Sequence, residues 1–179
     1  MRIISGKHRG RVLLSFDGDR IRPTADRAKE AIFNIYKERI PNSRFLDLCS
    51  GSGGVGLEAL SRGASVTLCD NSRESVALSK KNLALLKENC EVVLKDALEY
   101  LCTVKERFDF IFIDPPYSSE VGKKALAEIG KRRLLKDGGV AIYERDRAEN
   151  DEYEGLKFIS SRKYGKAVFN IYGVSDHEG

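Results

Sequence analysis

The period of the apolar positions changes several times along this chain. Between residues 25 and 40 they fall at Ala28, Ala31, Ile32, Ile35 and Tyr36, the spacing of a helix with one apolar face. At 45–49 the run FLDLC is short and apolar, and it reads as a strand. From there strand-like and helix-like segments alternate. The pattern predicts strands at 45–49, 66–70, 90–94, 108–113 and 140–144. It predicts helices at 54–62, 72–86, 97–104 and 120–135, with Gly63 closing the first and Asn71 or Ser72 capping the second. Such alternation predicts a parallel sheet with helices on both faces and right-handed crossovers.

The two ends break the alternation. Residues 2–16 read as two short strands around a Gly-Lys-His-Arg-Gly turn whose tip presents Lys7, His8 and Arg9 outward. Pro23 disfavours helix at Arg22, Thr24 is a good N-cap for the helix that follows, and Pro41-Asn42-Ser43 ends that helix. Residues 156–163 and 167–174 are strand-like runs joined by Tyr164-Gly165-Lys166 with no helix between them. A doubly wound parallel sheet that finishes in an antiparallel hairpin is the methyltransferase variant of the dinucleotide-binding fold, whereas a dehydrogenase would continue with another βαβ half. The expected fold class is therefore α/β: a Rossmann-like class I methyltransferase fold with a mostly parallel seven-stranded sheet ending in an antiparallel hairpin. The expected organisation is one domain over 1–179, with a basic N-terminal hairpin and helix at 1–41 and a catalytic core at 42–179.

Composition narrows the setting. With 179 residues, 41% hydrophobic and 32% charged, the chain can bury a sizeable core. No apolar run approaches a bilayer span and the first residues carry no signal-like apolar region, so a cytoplasmic location is expected. Cys49, Cys69, Cys90 and Cys102 form no C-x-x-C pair, and His8 and His177 sit near opposite ends, so buried reduced thiols and no metal site are expected. The net charge of +4 is unevenly placed, because residues 1–39 hold ten basic and five acidic side chains and the rest is nearly balanced. That asymmetry points to an anionic partner approaching from one end.

The candidate chemistry lies in two loops. Gly51-Ser52-Gly53-Gly54-Val55-Gly56 gives G-x-G-x-x-G after a strand and before a helix, suiting close backbone approach to a ligand. Asp70, 19 residues beyond Gly51, is placed for ribose hydroxyls. Both features suit NAD equally well. Asp47 tilts the reading toward S-adenosylmethionine, since a carboxylate inside the first strand can hold an amino-acid ammonium that NAD lacks. Asp96, followed by Ala97, is placed to accept from an adenine amine or to cap the next helix. The second loop is Asp114-Pro115-Pro116-Tyr117, at the carboxyl end of the 108–113 strand. Two prolines remove two N–H donors and leave carbonyl acceptors. The Asp114 carboxylate and the Pro115 carbonyl can grip both hydrogens of a nucleobase amine, aim its lone pair at a methyl group and receive the departing proton. Tyr117 offers a surface on which an unpaired or flipped base can stack.

These residues resemble the RsmD family, the small-subunit ribosomal RNA guanine-N2 methyltransferases. The likeness rests on Arg2-Ile3-Ile4, Gly6-Lys7, Gly10-Arg11, Arg22-Pro23-Thr24-x-Asp26-Arg27-x-Lys29-Glu30, Leu46-Asp47-Leu48, Gly56-Leu57-Glu58-Ala59-Leu60-Ser61-Arg62-Gly63-Ala64 and Asp114-Pro115-Pro116-Tyr117. It implies methylation of N2 of one guanine in 16S ribosomal RNA, within an assembling 30S particle, and contact of the basic N-terminal hairpin with RNA. The RNA-binding set would include Lys7, Arg9, Arg11, Arg22 and Arg27, with a monomer as the default state. Two other readings stand beside it: an adenine-N6 methyltransferase acting on DNA or RNA, and an NAD-binding or non-catalytic RNA-binding module.

Overall fold

The computed structural model describes residues 1–16 and 23–176, with backbone alone at Pro23 and Thr24. The elements run α1 (Pro23–Ile35), β1 (Arg44–Leu48), α2 (Gly54–Ser61), β2 (Ser65–Asp70), α3 (Arg73–Leu86), β3 (Glu91–Leu94), α4 (Ala97–Thr103), β4 (Phe108–Ile113), α5 (Val121–Lys131), β5 (Leu135–Arg145), β6 (Leu156–Tyr164) and β7 (Ala167–Val174). They build one seven-stranded sheet of order β3-β2-β1-β4-β5-β7-β6. The pairs from β3 to β5 are parallel, and β7 is antiparallel to both β5 and β6. The expected sheet and its closing hairpin are both present. Among the described residues no helix is long and apolar enough to cross a membrane.

The central strands β1, β2 and β4 bury both faces, which explains their near-continuous apolar runs. On one face Phe45, Phe110, Phe112, Ile142 and Phe169 meet α1, α2, α3 and the N-terminal segment. Stacking of Phe33 on Phe45 and of Phe45 on Phe110, each at a 5.9 Å centroid separation, ties α1 to the sheet centre. On the other face Leu46, Leu48, Ile111 and Ile113 meet α4 and α5. The order reverses between β1 and β4, so the crevice beyond their carboxyl ends is where this architecture holds ligands.

Three elements differ from their expected extents. α1 stops at Ile35, and a tight turn follows in which Arg39 N–H donates to the Tyr36 carbonyl, so that Ile40 folds back into the core. α5 stops at Lys131 because Leu134 N–H bonds back to Ile129 and the Leu134 carbonyl accepts from Phe108, drawing both leucines at 134 and 135 inward. β5 then begins at Leu135. The turn expected at Asp137-Gly138-Gly139 survives as an excursion inside that strand: Leu135 pairs with Phe108 and Val140 with Phe110.

The N-terminal segment is the larger departure. Only one bridge, Arg2 to Val12, joins the two halves expected as strands. Most of the remaining partners come from elsewhere. The fully buried Glu58 of α2 accepts Ile4 N–H at 2.9 Å and Ser5 N–H at 3.1 Å, and it pairs with Lys29 and Arg62. Gly6 lies so close to α2 that a Cβ there would stand 2.0 Å from the Ser61 carbonyl oxygen, and its φ of +87° excludes most other residues as well. At the far end Asn82 of α3 accepts Leu14 N–H and donates to the Leu14 and Ser52 carbonyls.

Candidate active site

β1 ends in Asp47 and Leu48, which pair with Phe112 and Ile113 of β4, so Asp114 leaves β4 just beyond the level of Leu48. The two sequence-predicted loops therefore stand side by side. They line a common cavity of about 430 Å³ whose walls include Asp47, Gly51, Ser52, Gly54, Phe112 and Asp114.

The glycine loop is held by surrounding side chains. Gly51 N–H donates to Asp70 Oδ2 at 2.9 Å, the Ser79 hydroxyl donates to the Gly51 carbonyl at 2.9 Å, and Asn82 holds the Ser52 carbonyl. Gly53, with φ of 86°, turns the chain into α2. A Cβ on Gly56 would lie 2.2 Å from the Leu68 side chain and 3.1 Å from the Asp47 Cβ, so α2 can sit this deep only with glycine there.

Asp47 is buried, and its Oδ2 accepts Gly56 N–H at 2.8 Å. Burial pushes its carboxyl up to about 8, the Gly56 hydrogen bond opposes this, and the charges of Asp114 and Asp70 add to it. Among the described residues no basic side chain pairs with Asp47. Asp114 opens to solvent at the cleft mouth, yet the protein crowded around it withholds enough water to raise its carboxyl to about 6. Pro115 is buried, while Pro116 and Tyr117 are exposed, and Pro116 accepts Ser119 N–H to close the turn. Tyr117 reaches a second cavity of about 680 Å³ that shares Met1, Ala25, Val55 and Phe112 with the first.

The remaining predicted residues are more scattered. Asp70 uses both oxygens on backbone, accepting from Gly51 and from Ser72. Asp96 caps α4 through Leu98 and Glu99 N–H, with Ala97 buried as the first helical residue. Neither aspartate lines the 430 Å³ cavity. The outward tip expected at Lys7, His8 and Arg9 holds for Lys7 and Arg9, which are exposed, and is corrected at His8 by Glu88, just beyond α3. Lys7 Nζ and His8 Nε2 both meet Glu88 Oε1 at 2.8 Å, and the His8 side chain is only 11% exposed. Arg11 donates to the Leu85 carbonyl. Arg9 is exposed on the turn and Arg27 on α1, whereas Arg22 and His177 lie outside the described residues.

Glu144 was missed by the sequence reading. It closes β5 beside the loop that carries Asp114, and it lines the second cavity with Tyr117. The available signal was its place at a strand's carboxyl end next to the 108–113 strand. Burial raises it to about 8, with the charges of Asp114 and Asp47 adding.

The family described as conserved hypothetical protein 95 matches residues 1–173 of this chain. The chain belongs to that family. It is the RsmD family of the sequence resemblance, and the curated relatives agree. Ribosomal RNA small subunit methyltransferase D of Escherichia coli is 36% identical over 157 residues, covering 84% of this chain and 76% of that one. The protein of the same name from Haemophilus influenzae is 35% identical over 153 residues, covering 82% and 79%. A solved structure from Escherichia coli, described as a candidate methyltransferase, superposes with a TM-score of 0.86 at 30% identity over 99% of both chains. The fold is that of the class I methyltransferases.

Proposed function

We propose that this chain transfers a methyl group from S-adenosylmethionine to the exocyclic N2 amine of one guanine in small-subunit ribosomal RNA, acting on an assembling 30S particle. At the coarser level it is a ribosomal RNA methyltransferase, in keeping with its named relatives. One observation carries the finer reading: Asp47 at the end of β1 and Asp114 just past β4 line one cleft, the first suited to a donor's ammonium and the second to an acceptor amine.

The residues fit the cofactor. Asp47 is a buried carboxyl without a cationic partner among the described residues, and an ammonium would relieve that burial. The Gly51–Gly53 backbone and the amino end of α2 allow the close approach a nucleoside needs. Bound there, the cofactor supplies an electrophilic methyl group on a sulfonium. Asp70 would take the ribose hydroxyls, and Asp96 with Ala97 would border the adenine. Asp114 and the Pro115 carbonyl accept from the two N2 hydrogens and aim the amine, and Asp114 takes the proton released as the N–C bond forms. Arg9 and Arg27, both exposed, would meet phosphate.

Mapping modified nucleotides in ribosomal RNA from cells with and without the gene tests this reading. One N2-methylguanine in 16S RNA should vanish without the gene, return with the wild-type chain and stay absent with Asp114→Asn. Loss of an N6-methyladenine instead would establish the alternative reading.

A further inference from the structure

The 680 Å³ cavity has a composition that the donor site does not explain. Phe112 and Phe169 form part of its wall, Tyr117 stands exposed at its edge, and Tyr164 and Lys166 of the β6–β7 turn face it. Glu144 is the one acidic residue in that lining, and no described residue donates a hydrogen bond to its carboxyl or pairs with it. The cavity adjoins the donor cleft at the shared Phe112 and Val55, so whatever fills it lies beside the cleft that Asp114 lines. An aromatic slot with a single unpartnered carboxyl suits a planar ring that carries its own donors and acceptors.

Guanine places three such groups in a row on one edge: the O6 acceptor, the N1–H donor and the N2 amine. If Asp114 and the Pro115 carbonyl hold the amine, N1–H and O6 come next along that edge. We propose that Glu144 is the specificity-determining residue for the acceptor base, its carbonyl oxygen accepting N1–H and its hydroxyl donating to O6. The inference rests on the guanine-N2 reading of the donor cleft. The neutral acid is the form this requires, and burial beside Asp114 and Asp47 favours that form at neutral pH. A purine with an exocyclic amine but without N1–H and O6 forfeits both of these bonds and is selected against.

The test is titration of nucleosides into the full-length protein saturated with S-adenosylhomocysteine, followed by NMR. Guanosine and inosine, which both carry O6 and N1–H, should bind about ten- to a hundredfold more tightly than 2-aminopurine riboside, which has the amine but neither of those groups. Glu144→Ala should abolish that preference, and Glu144→Gln, whose amide offers one acceptor and one donor, should retain it. The wild-type chain should also bind 1-methylguanosine no better than 2-aminopurine riboside, an outcome that does not depend on any variant folding. A preference for guanosine that persists in Glu144→Ala overturns the inference, as does equal or undetectable binding of all four nucleosides to the wild type. If the ribosomal RNA map still shows the lost N2-methylguanine, that failure falls on Glu144 and leaves the proposed reaction standing.

Discussion

Asp114 and Glu144 stand at the carboxyl ends of adjacent parallel strands, and the charge on Asp114 opposes ionisation of Glu144. Burial raises both carboxyls, Glu144 the further, so their protons leave in coupled steps and not together. Carboxyls separated in this way can take different parts in one reaction.

The rate of methyl transfer should therefore fall with acid. Asp114 can take the amine's proton only when ionised, so single-turnover rates should drop about tenfold per pH unit below about 6. Asp114→Asn should lower turnover by about a hundred- to a thousandfold while the affinity for S-adenosylhomocysteine stays within about threefold of wild type. A rate flat down to pH 5, or a variant that loses the cofactor instead, removes Asp114 from the role given to it.

Cofactor binding should be linked to protons through Asp47. Its folded value lies above its ordinary one, so its contribution to the stability of the cofactor-free chain is complete below about 4 and is lost as pH rises through about 8. An ammonium beside Asp47 favours the ionised form. The thermal stabilisation given by S-adenosylhomocysteine should consequently grow between pH 6 and 8, and calorimetry in buffers of different ionisation enthalpy should show proton release on binding. Asp47→Asn should flatten both trends.

Glu58 should matter far more to stability than an ordinary helical glutamate. It is fully buried, pairs with Lys29 and Arg62, and holds two backbone N–H groups of the N-terminal segment. Glu58→Ala leaves the buried Lys29 ammonium with little compensation and should cost about 3–5 kcal/mol in denaturant unfolding. Hydrogen exchange should quicken at Ile4 and Ser5 first.

The salt dependence of RNA binding should single out exposed cations for which no internal partner stands among the described residues. Replacing exposed Arg9 or Arg27 with alanine should lower the slope of log affinity against log salt by about one each. Lys7, which shares Glu88 with His8, should change it less. Equal slopes for all three variants would contradict this ranking.

The sheet was legible because buried parallel strands leave apolar runs and their helices leave a 3.6-residue period, and these signals are local. The two loops were legible because glycine and proline are chemically conspicuous. The N-terminal segment was not, since many of its backbone partners are Glu58, Ser61 and Asn82, polar side chains more than fifty residues away with no periodic trace. The histidine expected to point outward is drawn onto Glu88 for the same reason. Asp96 could cap a helix or meet a ligand from its position alone, and the cap is what the geometry displays. Glu144 looked like any glutamate ending a strand until the neighbouring loop and the cavity gave it a direction.

Asn82 gives the first sixteen residues a standing that their sequence does not suggest. One buried amide grips the backbone of Leu14 and the carbonyl of Ser52, so the leading segment and the donor loop hang from the same peg. Trimming that segment to isolate a minimal catalytic core would strip a brace from the loop itself. A shortened chain should hold the methyl donor less firmly, because Asn82 would keep the Ser52 carbonyl without the Leu14 backbone that fixes its amide.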